Sequence, residues 1–178
     1  MVQPSGLGIT WNGFLAEPTN SEWTKETIRG YAKEGWEQTQ NTGQQDWTLV
    51  AALWVPRNGV YLGSIPHARP GAFEDDEHVE IAFESLADNL APVMWRHAES
   101  RSTGADQRSE TRFHAEHMAL LTYEMKAKPK DRYPNDCFIA VYGQYSRFDN
   151  LGPKRPCQSG NYAPSCSILL RALDIDTQ

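Results

Sequence analysis

The sequence has few cysteines and no long apolar run. Its three cysteines, Cys137, Cys157 and Cys166, form an odd set. In a chain without an export signal, an odd set fits free thiols or metal ligands better than a disulfide framework. The N-terminal stretch MVQPSGLGIT has neither the basic nor the apolar part of a signal peptide, and no eighteen consecutive residues are apolar. We therefore expect no membrane span and an intracellular location, cytoplasmic or nuclear.

Positive charge is also scarce, because 17 Lys and Arg stand against 23 Asp and Glu and give a net charge of -6. Such a chain does not coat nucleic acid by charge alone, since phosphate binding depends on clustered Lys and Arg. The charges are unevenly distributed: residues 72–90 carry seven acids and no Lys or Arg, whereas residues 126–155 carry seven Lys or Arg and three Asp. An anionic partner is therefore expected to meet the second region.

The pattern of apolar residues predicts a single α/β domain over residues 1–178. The predicted elements, in chain order, are a helix in 21–40 capped by Ser21, a hairpin in 46–66 around Asn58-Gly59, a helix from His114, a strand in 135–145 and a helix from 165. Residues 67–112 lack a clear pattern and are predicted to be an insertion, with a helix broken near Pro92.

The predicted helix at His114 carries a pattern typical of a metal site. It opens with His114-Ala115-Glu116, and after the following strand come Pro156-Cys157 and then Cys166. This order, H-x-E followed by P-C and a second cysteine, resembles the zinc-dependent cytidine deaminase-like superfamily. The resemblance implies a three-layer α/β/α sandwich with a central mixed sheet, in which zinc is held between the N-termini of two helices.

The resemblance also implies a role for each residue. His114, Cys157 and Cys166 would bind one Zn2+ and leave a fourth position for water, whose acidity the metal increases. Glu116 would not be a ligand; it would take the proton from that water and pass it to the ring nitrogen and the departing amine. Cys137, inside DCFIAV, is predicted to be a core residue.

Two features depart from the common pattern of the superfamily. Eight residues separate Cys157 from Cys166, where fewer are usual, although the deaminases of riboflavin biosynthesis have a similarly long spacing. Members of the superfamily continue after the helix of the second cysteine with at least one further strand, whereas twelve residues follow Cys166 here. We therefore expect the sheet either to be completed by an N-terminal segment or to remain at three strands.

In the related fold, the loops after the second and third strands flank the zinc. Here these loops contain polar and aromatic residues, and an aromatic side chain could stack on a base. The candidate pocket residues are Ser64, Ile65, Pro66, His67, Tyr145, Phe148 and Tyr162. Candidate phosphate contacts are Lys154 and Arg155 with the other Lys and Arg of residues 126–155, although a charge run is also typical of a solvated surface.

The expected function is zinc-dependent hydrolytic deamination of a nucleobase, with cytosine in single-stranded DNA or RNA as the favoured substrate. Two alternatives stay open: deamination of a free nucleoside, base or other small aminated heterocycle, and a structural zinc module without catalysis. At the site itself, His117 could compete as a ligand, since it lies one helical turn from His114. A second H-x-E, His78-Val79-Glu80, has no following strand and cysteine pair and is not expected to act.

Overall fold

The computed structural model describes residues 8–9, 12–16, 23–41, 48–65, 67–68, 91–99, 114–129, 132–144, 148–156 and 166–177. The helices in these stretches are α1 (Lys25–Gln40), α2 (Pro92–Glu99), α3 (Ala115–Ala127) and α4 (Cys166–Ala172). The strands are β1 (Gly8–Ile9), β2 (Asn12–Ala16), β3 (Leu49–Val55), β4 (Gly59–Ser64), β5 (His67–Ala68), β6 (Phe138–Gly143), β7 (Gly152–Lys154) and β8 (Asp176–Thr177). None of these helices is both long and apolar enough to cross a membrane.

A mixed sheet of six strands forms the centre of the fold. Its order is β2-β4-β3-β6-β7 with antiparallel pairing between neighbours, and β8 pairs in parallel with β6. A separate antiparallel pair joins β1 to β5. The protein is therefore an α/β protein with a mixed sheet.

The middle strands are buried on both faces, because successive side chains of a strand point to opposite sides of a sheet. One alternate set of β3, which includes Leu49 and Leu53, packs in a core cluster with the apolar residues of α3. The other set, which includes Val50 and Ala52, packs with Ile28 of α1. Helices α1 and α3 thus cover opposite faces of the sheet.

A glycine allows α3 to pack closely against β4. A Cβ atom at Gly63 would lie only 2.6 Å from the backbone nitrogen of Ala119 and 2.6 Å from the carbonyl carbon of Met118. Further along the helix, the ring of Tyr123 meets that of Tyr61, with 5.1 Å between the ring centroids. Residue numbers therefore rise along α3 as they fall along β4, and the two elements run in opposite directions.

Because α3 and β4 run in opposite directions, the N-terminus of α3 lies beyond Ser64, the last residue of β4. The end of β6 lies at the same end of the sheet, because β3 pairs its first residues with both strands: Val50 lies opposite Ser64, and Leu49 lies opposite Gly143. We call this the Ser64 end of the sheet.

A buried carboxylate holds α2 against α3. Glu124 is 1% exposed. It accepts hydrogen bonds from the backbone N–H groups of Val93 at 2.9 Å and Met94 at 2.7 Å, and from the Tyr133 hydroxyl at 2.8 Å. The two N–H groups belong to the first turn of α2, where the helix dipole favours a negative charge. Burial raises the pKa of Glu124, and the three hydrogen bonds partly oppose this rise.

The long predicted elements are confirmed. The hairpin corresponds to β3 and β4, the third strand to β6, and the helices expected from 114 and 165 to α3 and α4. The predicted cap of the first helix is wrong. Thr24 is the N-cap, and its hydroxyl accepts a hydrogen bond from the N–H of Thr27 at 3.2 Å, so α1 begins at Lys25.

An N-terminal segment joins the sheet, as in one of the two arrangements expected from the sequence, but a strand after α4 also joins it, which neither arrangement included. Strand β2 adds to β4 at one side, and the short strands β7 and β8, for which the sequence has no clear signal, both add to β6. Most of the predicted insertion, residues 67–112, lies outside the described residues. Its described part contains β5 and α2, and α2 begins at Pro92.

Gly63→Ala is expected to destabilise the fold, because the added methyl group would overlap the backbone of α3 and overpacking costs about 1–3 kcal/mol. Urea unfolding followed by circular dichroism would measure the loss. The matched control is Gly30→Ala in α1, where a Cβ atom meets nothing within 4 Å. This substitution should raise the free energy of unfolding by roughly 0.4–1 kcal/mol, because it reduces the conformational freedom of the unfolded chain. Equal effects of the two substitutions would contradict the close approach of α3 and β4.

Glu124 should also make stability depend on pH. Its pKa is raised in the folded protein, above the value of about 4.3 usual in an unfolded chain. Its contribution to the free energy of unfolding is therefore fully present below about pH 4.3 and is lost as the pH rises through the folded pKa, by at most about 1.4 kcal/mol per pH unit. The neutral variant Glu124→Gln has no such titration. The stability of the native chain minus that of the variant, from urea unfolding at a series of pH values, should fall as the pH rises; an increase would show that the folded pKa is lowered.

Candidate metal centre

Two helices begin next to each other, beyond the Ser64 end of the sheet. His114 is the N-cap residue of α3 and has an extended backbone, with φ -79° and ψ 169°. Cys166 is the first residue of α4. The Nδ1 atom of His114 lies 3.1 Å from the Sγ atom of Cys166. The structure thus brings together two residues that are 52 positions apart in the sequence.

Glu116 joins this pair from the first turn of α3. The glutamate is 2% exposed and Cys166 is 1% exposed, whereas His114 is partly buried. A carboxylate oxygen of Glu116, a ring nitrogen of His114 and the sulfur of Cys166 all lie within 4.8 Å of one another. These three residues, which we call the candidate cluster, could hold a metal ion.

His117 borders the candidate cluster. Its Nδ1 atom accepts a hydrogen bond from the backbone N–H of His114 at 3.1 Å and lies 4.0 Å from the Sγ atom of Cys166. The two imidazole rings meet edge-on, with 5.9 Å between their centroids. Burial, and then the neighbouring His114, lower the pKa of His117 to about 3. The sequence pointed to His117 as a competing ligand and did not reveal this bond to the backbone of the N-cap.

The candidate cluster combines chemically different donors. An imidazole and a thiolate are ligands for zinc, copper and iron, and a carboxylate can be either a further ligand or a general base. The chain matches no protein-family model, no curated protein and no solved structure. The chemistry of these three side chains is therefore the ground on which a function can be proposed.

The other predicted site residues are described only in part. Cys157, Tyr145 and Tyr162, with Pro66, lie outside the described residues. Pro156, which directly precedes Cys157, is buried. Ser64 is fully buried at the end of β4, and His67 belongs to the two-residue strand β5.

The connection from β6 to β7 is at the same end of the sheet as the candidate cluster, because it follows the end of β6. Phe148 in this connection is 84% exposed. Lys154 is held within the connection, since its Nζ atom lies 2.6 Å from the carboxylate of Asp149. Arg155 is exposed. Of the two predicted phosphate contacts, Lys154 is therefore already engaged in an ion pair with Asp149.

Lys126 lies at the other end of α3. Its ammonium group stacks on the ring of Phe14 at 3.9 Å from the centroid. At 1.5 Å per residue, the helix separates it from His114 by roughly 18 Å. The basic residues of 126–155 therefore do not all lie at the Ser64 end of the sheet.

Cys137 is a core residue, as predicted. It is fully buried, and its thiol donates a hydrogen bond to the carbonyl oxygen of Pro134 at 3.1 Å. Burial, and then the charges of Asp136 and Asp174, raise the pKa of this thiol to about 12. A thiol of this kind stays protonated at neutral pH, which is unfavourable for metal binding.

Metal content tests the candidate cluster. Protein purified without chelator is expected to carry a transition metal. Inductively coupled plasma mass spectrometry would measure it. His114→Ala and Cys166→Ala should each lose it, because each removes a donor atom from the cluster. Cys137→Ala is the control with the same chemical change in the core, and it should keep the metal. Metal bound equally by all three variants would place the ion elsewhere.

Proposed function

We propose that this protein is a zinc-dependent hydrolytic deaminase that converts a nucleobase, with cytosine in single-stranded DNA or RNA as the preferred substrate. The observation that carries the proposal is the candidate cluster itself, in which two helix starts bring an imidazole, a thiol and a buried carboxylate within 4.8 Å. A structural zinc site needs four ligands and no base, whereas a catalytic site has three ligands and an open position.

The donor atoms fit zinc. In a tetrahedral site with ordinary zinc bond lengths, a nitrogen and a sulfur ligand stand roughly 3.5 Å apart. The observed 3.1 Å between His114 Nδ1 and Cys166 Sγ is close to this value. Cys157, which follows the buried Pro156, is proposed as the third ligand.

Within this site, Glu116 is assigned to proton transfer. When bound, zinc supplies a water molecule of lowered pKa. Glu116 accepts a proton from the attacking water and delivers protons to the ring nitrogen and then to the amine. The carbon–oxygen bond forms, the carbon–nitrogen bond breaks, and ammonia leaves, so that one water is consumed for each amine released. The burial of Glu116 keeps the carboxylate away from competing bulk water.

The fold type proposed is the three-layer α/β/α sandwich of the cytidine deaminase-like superfamily. It is supported by α1 and α3 on opposite faces of a mixed sheet. It is also supported by the start of α3 and α4 at the residues that would hold zinc. Ligand-bearing helix termini at one end of a sheet are a rigid platform for a catalytic site.

A single-stranded nucleic acid is the proposed substrate class because of two exposed side chains on the chain between β6 and Cys157. The exposed ring of Phe148 could stack on a base next to the target, and the exposed Arg155 could bind a phosphate. A free nucleoside would use neither contact. The alternative, deamination of a free nucleoside or small aminated heterocycle by the same cluster, differs in substrate and not in chemistry.

Replacing Glu116 by Gln tests the assignment of the base. Gln keeps the size of the side chain but cannot accept and return a proton at neutral pH, so deamination should fall by roughly 10²–10⁴-fold. Zinc content should hardly change, because Glu116 is not proposed as a ligand. Loss of zinc in Glu116→Gln would make the glutamate a ligand, and unchanged deamination would assign the base to another residue.

The same assay separates the substrate classes. Purified protein is incubated with deoxycytidine, with a single-stranded oligonucleotide and with its duplex, and uracil formation is measured by sequencing and chromatography. Uracil in the single strand is the expected result. Conversion of the nucleoside with an untouched oligonucleotide would contradict the polymer substrate and leave the deaminase chemistry intact.

A further inference from the structure

The N-terminus of α3 has an unusual N-cap. At most helix starts, a Ser, Thr, Asp or Asn side chain accepts a hydrogen bond from the N–H groups of the first turn. Here the N-cap is His114, and its ring is directed to the Sγ atom of Cys166 at 3.1 Å. The His114 ring thus faces the candidate cluster, and the capping box at this helix start pairs His114 with His117, whose side chain binds the backbone of the N-cap residue.

His117 supplies that fixation. It stands three residues after the N-cap, which is the position where Glu or Gln in a capping box reaches back to the N–H of the N-cap residue. The Nδ1 atom of His117 accepts this N–H bond at 3.1 Å. A ring nitrogen that accepts a hydrogen bond is unprotonated, so the proton of the neutral ring is on Nε2.

We propose that His117 is a positioning residue for the metal site and is not one of its ligands. The inference rests on the proposed zinc-dependent function, because it assigns a task toward His114 as a zinc ligand. By holding the backbone N–H of His114, His117 fixes the direction in which the His114 ring leaves the helix. The hydrogen bond supports this division of roles: the His117 Nδ1 atom, which lies 4.0 Å from Cys166 Sγ, already accepts the backbone N–H of His114.

A comparison of Gln and Ala at position 117 distinguishes a cap from a ligand. Gln is the usual residue of a capping box and can accept the N–H of His114, but it is a poor zinc ligand. Ala can do neither. If His117 is a positioning residue, His117→Gln should keep the zinc affinity of the native chain to within about threefold, and His117→Ala should lower it by roughly 10–100-fold, as expected for loss of a group that orients a ligand.

Zinc affinity is measured by competition with a chromophoric chelator. Cobalt(II) in place of zinc reports the ligand set through its visible absorption, and this spectrum should be the same for the native chain and His117→Gln. The control is Thr24→Ala, which removes a comparable cap from α1 and should lower the melting temperature without changing zinc affinity. This control separates a specific effect on the site from general loss of helix stability.

The outcomes decide the proposal in both directions. His117→Gln with weak zinc binding and an altered cobalt spectrum would make His117 a ligand, and native affinity in His117→Ala would remove any positioning role. Should His117→Ala fail to fold, His117→Leu, which keeps bulk but cannot accept the N–H bond, takes its place, and His117→Gln still separates a cap from a ligand. If the native chain binds no zinc, both this proposal and the proposed function fail. If the native chain binds zinc but His117→Gln does not keep this affinity, the positioning role of His117 fails and the proposed function is unaffected.

Discussion

The close packing of α3 on β4 determines where the candidate cluster lies. Because Gly63 has no side chain, the backbone of the helix can approach the backbone of the strand. The two elements run in opposite directions, so this contact carries the start of α3 past the end of β4, into the space where α4 also begins. His114 and Glu116 are therefore held on a helix that is packed against the core, and not on a connecting loop. Groups held in this way keep their mutual distances better than groups on loops.

The sequence predicts the parts of the fold that local patterns determine. Strands β3, β4 and β6 contain runs of apolar residues, and the turn between β3 and β4 has characteristic residues. Strands β7 and β8 consist of three and two residues, which is too short for any periodicity. They exist because β6 offers unpaired backbone groups on one side, and that depends on tertiary contacts. The cap of α1 was missed because Ser21 is, by residue type, a better cap than Thr24.

The candidate cluster was predictable because its residue types are rare in combination, and the order along the chain is informative. The roles of His117 and Glu124 were not predictable from the motif. His117 replaces the Glu or Gln of a capping box, and a histidine beside a metal motif indicates a ligand before it indicates a cap. Glu124 interrupts the run MALLTYEM in a helix that is buried almost all round. A signal was present there, since a carboxylate inside an apolar helix must have buried hydrogen-bond donors as partners.

The chain between β5 and α2 is fixed at both of its ends. At one end β5 pairs with β1, and at the other Ala91 is buried and Glu124 binds the first N–H groups of α2. Both anchors are formed by described residues, and neither includes a residue of the candidate cluster. A substitution that loosens either anchor is therefore expected to release β5 or α2 before it alters the distances within the candidate cluster.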